Sequence, residues 1–111
     1  MKVVREHAPL HDDPIRLVAG DRVRVGREDA EYPGWAWCSA AEGRESWVPL
    51  AILRLEGEEG VALRDYFAFE LTVGVGEVVE AREELAAWVW AATAAGVEGW
   101  VPRDCLAPVR A

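Results

Sequence analysis

All six tryptophans of this chain fall into three pairs at a single spacing. Trp35 and Trp88, Trp37 and Trp90, and Trp47 and Trp100 each lie 53 residues apart, and the triplet Trp47-Val48-Pro49 returns as Trp100-Val101-Pro102. A fixed-period repeat constrains a short chain severely, because each copy must build the same supersecondary unit. Upstream the spacing lengthens. Gly20-Asp21 is echoed by Gly76-Glu77, and Ile15 and Leu17 by Leu71 and Val73, at 56 residues, while Val4 matches Leu63 at 59. The two steps of three residues read as deletions in loops, which accept length changes where strands do not. The chain is therefore a duplication. Its expected domains are residues 1–56 and 61–111, joined by a short acidic linker at about 56–60, Glu56-Gly57-Glu58-Glu59-Gly60. Units this small bury a modest share of their surface alone and gain by packing on one another.

Each copy reads as strands and turns. Within Asp21-Arg22-Val23-Arg24-Val25 the residues from Arg22 on alternate strictly, as does the stretch from Val79 to Arg82, and period two means one buried face and one solvated face. Trp35-Ala36-Trp37-Cys38 and Trp88-Val89-Trp90-Ala91 place both Trp of each pair on one face. Gly43 and Gly96 supply turns before the Trp-Val-Pro strands, and the Gly-, Pro- and acid-rich stretch 29–34 reads as a loop. One segment points the other way. Glu83 to Ala92 is rich in helix formers, with Leu85, Trp88 and Ala92 at helical spacing. Its counterpart contains Pro33 and Gly34 and cannot be helical, so a shared fold makes both segments strands.

Composition bounds the function. The chain carries 12 basic and 20 acidic side chains, for a net charge of −8, which repels phosphate backbones and argues against nucleic acid as a partner. Residues 1–56 hold 8 basic and 10 acidic groups, and residues 57–111 hold 4 and 10. The second half would thus favour a cationic ligand. No apolar run approaches the roughly 18 residues that span a membrane. The opening Met1-Lys2-Val3-Val4-Arg5-Glu6 lacks the apolar core of a secretory signal. Cys38 and Cys105, one in each half, are accordingly expected as reduced thiols in the cytoplasm.

Two stretches in the second copy carry a family resemblance. Ala62-Leu63-Arg64-Asp65-Tyr66 resembles the Ala-Leu-Tyr-Asp-Tyr opening of the Src-homology-3 (SH3) family, and Glu70-Leu71-Thr72-Val73-Gly74-Val75-Gly76-Glu77 resembles its Glu-Leu-Ser-Phe-x-x-Gly-Asp stretch. Trp88 then stands at the family's groove Trp, Ala91 at its small buried position, and Gly99-Trp100-Val101-Pro102 at its Gly-x-Phe-Pro stretch. The first copy keeps the frame more loosely, through Val3 to His7, Ile15 to Asp21, Trp35, Cys38 and Trp47-Val48-Pro49. The resemblance, to a divergent bacterial-type variant, covers nearly the whole chain. It implies an all-β fold of two tandem SH3-like five-stranded β-barrels, with packing as a pseudo-two-fold pair one arrangement open to them.

The same resemblance implies a function. Family members bind extended proline-rich peptides in an aromatic groove, with loop acids pairing a flanking Arg or Lys. By position, one groove would hold Tyr66, Trp88 and Pro102 with Glu70 nearby, and the other His7, Trp35 and Pro49 with Asp12 and Asp13 on the loop. Departures from the pattern are Arg5 and Arg64 at the first Tyr of the opening motif, and Ile52 and Cys105 at the Tyr after the late Pro. The expected function is a non-catalytic interaction module taking a basic or proline-containing segment, mainly through the second barrel. The alternative is an assembly protein whose barrels pack with their grooves occluded. Four exposed Trp would make too large an apolar patch for a monomer, so one pair is expected to be buried between the units or in a homodimer.

The remaining features are expected to be structural. His7, His11, Asp12 and Asp13 run from strand into loop, where a solvated loop outweighs a metal site. Cys38 is expected as inert packing, and a reactive Cys105 is the less favoured reading. Arg22 and Arg24 share a face, either solvated or paired with acids of the other unit. No arrangement implies catalysis or a cofactor.

Overall fold

The computed structural model describes residues 1–9 and 13–109. Its strands are β1 (Lys2–Val3), β2 (Arg16–Leu17), β3 (Arg22–Glu28), β4 (Trp35–Ala40), β5 (Glu45–Pro49), β6 (Leu53–Glu56), β7 (Glu59–Ala62), β8 (Tyr66–Phe67), β9 (Glu80–Leu85), β10 (Trp88–Ala92), β11 (Glu98–Pro102) and β12 (Leu106–Ala107). Short 3₁₀ turns occupy Leu50–Ile52 and Arg103–Cys105, again 53 residues apart. The protein is all-β, and these strands pair antiparallel throughout. No helix among the described residues is long and apolar enough to cross a membrane.

The chain divides into two compact units. The inner unit is His11–Ala68, and the outer unit combines Met1–Leu10 with Phe69–Ala111. Neither matches the expected division at 56–60. That stretch is the tip of a hairpin within the inner unit, where β6 pairs with β7 from Leu53↔Ala62 to Glu56↔Glu59. Gly57 sits at the tip with φ of 63°, a conformation a tight reversal needs and a side chain resists. Arg22 bonds Glu56 and Glu59 at 3.0 and 3.3 Å, and Arg24 bonds Glu58 at 3.4 Å. The acids that pair these arginines therefore lie in the arginines' own unit.

Two closed five-stranded barrels are not what the hydrogen bonding draws. The inner unit has a five-stranded sheet in the order β5-β4-β3-β7-β6 and a separate β2-β8 ribbon. The outer unit has the three strands β11-β10-β9 and the pair β1-β12. Pro49 and Pro102 end β5 and β11, and the 3₁₀ turns follow directly. Proline offers no N–H to a ladder, so the sheet breaks there.

The helix-like segment resolves as the β9–β10 hairpin, with Leu85 opposite Trp88. Ala86 and Ala87 turn it at φ of 46° and 69°. The core of the outer unit gathers Val3, Leu71, Val73, Val79, Val89, Ala91, Val101, Cys105 and Leu106. The inner unit buries the residue at each matching position, namely Ala62, Ile15, Leu17, Val23, Ala36, Cys38, Val48, Ile52 and Leu53. Burying a side chain such as Val3 contributes about 1.5–3 kcal/mol.

These pairs expose an exchange. Val3 belongs to the first copy yet completes the core of the outer unit, while Ala62 belongs to the second copy and completes the inner one. Each unit takes its opening strand from the other repeat.

Candidate functional site

The exchange regroups the expected site residues. In the outer unit His7 joins Glu70, Trp88 and Pro102. In the inner unit Tyr66 falls with Trp35 and Pro49, and Asp13 belongs to the same unit. Asp12, expected beside Asp13, lies outside the described residues, as does His11. Tyr66 was expected with Trp88, and His7 with Trp35. Both correspondences are reversed because the segment that carries each ring pairs with the opposite copy.

The outer cluster is built on strand pairing. Main-chain bonds tie His7 to Val73 in both directions, at 3.0 and 2.9 Å. His7 Nε2 lies 2.8 Å from Glu70 Oε1, with the two side chains 18% and 19% exposed. The ring meets Trp88 edge-on at 5.4 Å and 82°, the arrangement that ring quadrupoles favour. Trp88 is half-buried and opposite Pro102 in the β10–β11 register. An acid, an imidazole and an indole thus converge beside Pro102, which is buried like its counterpart Pro49, and the cluster can offer both a charge and an apolar face.

The matching cluster in the inner unit is closed. Trp35 is 3% exposed and Tyr66 7%, and Pro49, opposite Trp35 in register, is buried. The Tyr66 hydroxyl donates to the Trp47 carbonyl at 2.9 Å. Asp13 turns to Arg44 at 3.1 Å in an exposed pair.

Sequence reasoning missed a second motif that both units share. Trp37 and Trp47 lie edge to face at 5.2 Å and 70°, and Trp90 and Trp100 at 5.3 Å and 69°. The indole N–H of Trp37 donates to Glu45, and that of Trp90 to Glu98, each at 3.2 Å. Glu45 and Glu98 are also 53 residues apart, which is the signal that would have found them. Trp35 and Trp100 are buried, and Trp37, Trp47, Trp88 and Trp90 half-buried.

Both thiols are free and buried. Burial pushes Cys38 up to about 11, and burial with the neighbouring Asp104 raises Cys105, so both are poor nucleophiles at neutral pH. Ile52 and Cys105, which stand where the family has a groove Tyr, are core residues at 3% and 4% exposure. Arg5, in place of the other Tyr, pairs with Asp104 at 3.6 Å. Among the described residues no group of three or more His, Cys, Asp or Glu could hold a metal ion. Family models, curated proteins and solved structures yield no match to the chain.

Proposed function

We propose that the chain is a non-catalytic protein-interaction module of SH3-like build that binds a basic or proline-containing extended segment. The order within each unit supports the build: a paired loop arm, a three-stranded meander, a Pro-ended strand, a 3₁₀ turn and a last strand to which the opening strand is added. The single observation that carries the function is the half-buried Trp88, opposite Pro102 and beside the His7–Glu70 pair. A pyrrolidine ring packs on an indole face, and a flanking Lys or Arg is attracted to Glu70.

One observation favours the second reading, an assembly protein with closed grooves. Trp35 is buried at the matching position, so the inner unit contributes no open groove. Binding is accordingly assigned to the outer unit, which carries Glu70, Trp88 and Pro102 of the second copy. The test is an NMR titration of the full chain with basic and proline-rich peptides, following the six indole N–H signals. Saturable movement of the Trp88 signal, lost in Trp88→Ala, supports binding. Static indoles already protected from solvent exchange replace it with the assembly reading.

A further inference from the structure

The segment Met1–His7 is held in the outer unit from both sides. On one side β1 pairs with β12, Lys2↔Ala107 and Val3↔Leu106, and the Val4 N–H donates to the Cys105 carbonyl at 2.8 Å. On the other, the Val3 N–H donates to Glu77, and the N–H groups of Gly76 and Val79 donate to Val3 and Met1, each at 2.8 Å. Val3 between them is fully buried. Every one of these partners lies about seventy or more residues away in sequence, and residues 11–68 between them belong to the other unit. The strand is thus a donated piece, fixed in its slot by noncovalent bonds alone.

We infer that this slot also accepts Met1–His7 of a second copy, giving a strand-exchanged dimer beside the closed monomer. The occupant is specified by the slot itself. It must place an apolar side chain where Val3 is buried and satisfy main-chain partners along both edges, and the same segment of another molecule does so with identical contacts. Exchange therefore costs little beyond the lost freedom of two chains, and repeat proteins are prone to it. An empty slot, by contrast, leaves two unpaired strand edges.

The exchange has a consequence for the site. His7 travels with the strand, so in the dimer the His7–Glu70–Trp88 cluster is completed by a residue of the other copy. The inference rests on strand pairing and stands whether or not that cluster binds a peptide.

The test uses two full-length variants, Lys2→Cys and Ala107→Cys, unfolded together, refolded at low and high concentration, and oxidised. The expected result is a disulfide-linked heterodimer that grows with concentration, outnumbers both homodimers, and is absent when the two proteins are mixed already folded. Monomers at every concentration overturn the inference, as do hetero- and homodimers in random proportion. A wild-type dimer refolded from two isotope labels provides a check free of new cysteines. An intermolecular His7–Trp88 contact is expected, and its absence is equally decisive.

Discussion

The two units hold the same tryptophan in different company. At the first Trp of the repeat the inner unit buries Trp35 to 3% exposure, while the outer unit leaves Trp88 half-buried. The neighbours explain how the copies diverged. Tyr66 and His7 occupy one position, but the Tyr66 hydroxyl is satisfied by a main-chain carbonyl, whereas His7 turns to a carboxylate. That carboxylate, Glu70, stands where the inner unit has Pro14, and the inner unit's acid has moved one place to Asp13 and faces Arg44. The outer cluster thus keeps a carboxylate at Glu70, while the acid of the inner unit is engaged with Arg44.

The comparison breaks most visibly at these two tryptophans. Trp35→Ala removes a buried indole and is expected to cost roughly 3–5 kcal/mol of stability. Trp88→Ala is expected to cost less, about 1–2 kcal/mol, since Trp88 is only partly buried, yet to abolish the peptide response. Denaturant unfolding of both variants, set beside the NMR titration, checks this. Equal stability losses would mean that the two positions serve one structural purpose.

A second pair of positions sharpens the contrast. Ser46 and Gly99 are equivalent, and Ser46 Oγ accepts the Ile15 N–H at 2.9 Å in a buried bond. At Gly99 an added Cβ would stand 2.8 Å from the Phe69 ring and 3.0 Å from Leu71. Ser46→Ala is therefore expected to cost about 1–3 kcal/mol by orphaning a buried donor. Gly99→Ser is expected to cost a similar 1–3 kcal/mol by overpacking, with part of that loss recovered in combination with Phe69→Ala. Thermal unfolding of the single and double variants reads both effects.

These cases mark what the sequence makes legible. The Trp register, the Trp-Val-Pro strands and the alternation around Val23 and Val79 transmit the strand order and the core, because spacing and period are local. The exchange of opening strands is not local. Val3 and Ala62 sit in equivalent segments with the same pattern, so nothing in either tells which copy's last strand it will pair with. The Glu56–Gly60 stretch suffers the same ambiguity, since Gly and Glu suit a linker and a hairpin tip alike. The site residues were individually visible, but their grouping followed the strands and so was hidden with them.

A third comparison is chemical. Cys38 holds the position that Ala91 holds in the outer unit, and burial raises its thiol from the ordinary 9.0 to about 11. Between those values the folded state keeps a proton that the unfolded state has lost. Stability therefore falls as pH rises through that window, by up to about 2–3 kcal/mol. Cys38→Ala is expected to cost about 1 kcal/mol at neutral pH through lost packing and to flatten the alkaline slope, so that the two stability curves converge above pH 9. Parallel curves would show that the thiol does not report on the inner core.

The smallest expected effect lies at the turn before Trp88. The inner unit reverses its chain there through residues 29–34, with Gly34 at φ of 95°, whereas the outer unit does so through Ala86 and Ala87 alone. A two-residue hairpin turn with both φ positive favours Asn-Gly, and each alanine in that region costs about 1–2 kcal/mol. Replacing Ala86-Ala87 by Asn-Gly is expected to raise stability by about 1 kcal/mol, part of the relief being offset by the freedom glycine has when unfolded. The Ala87 carbonyl accepts the Arg103 N–H at 2.8 Å, a main-chain bond the exchange of side chains preserves, so the strand geometry is retained. Peptide affinity then reveals what the strained turn does. If affinity is unchanged as stability rises, the alanines are an unoptimised remnant of the shortened loop. If affinity drops while stability rises, the strain holds Trp88 in its half-buried position, and the difference between the two units extends from the rings to the backbone that presents them.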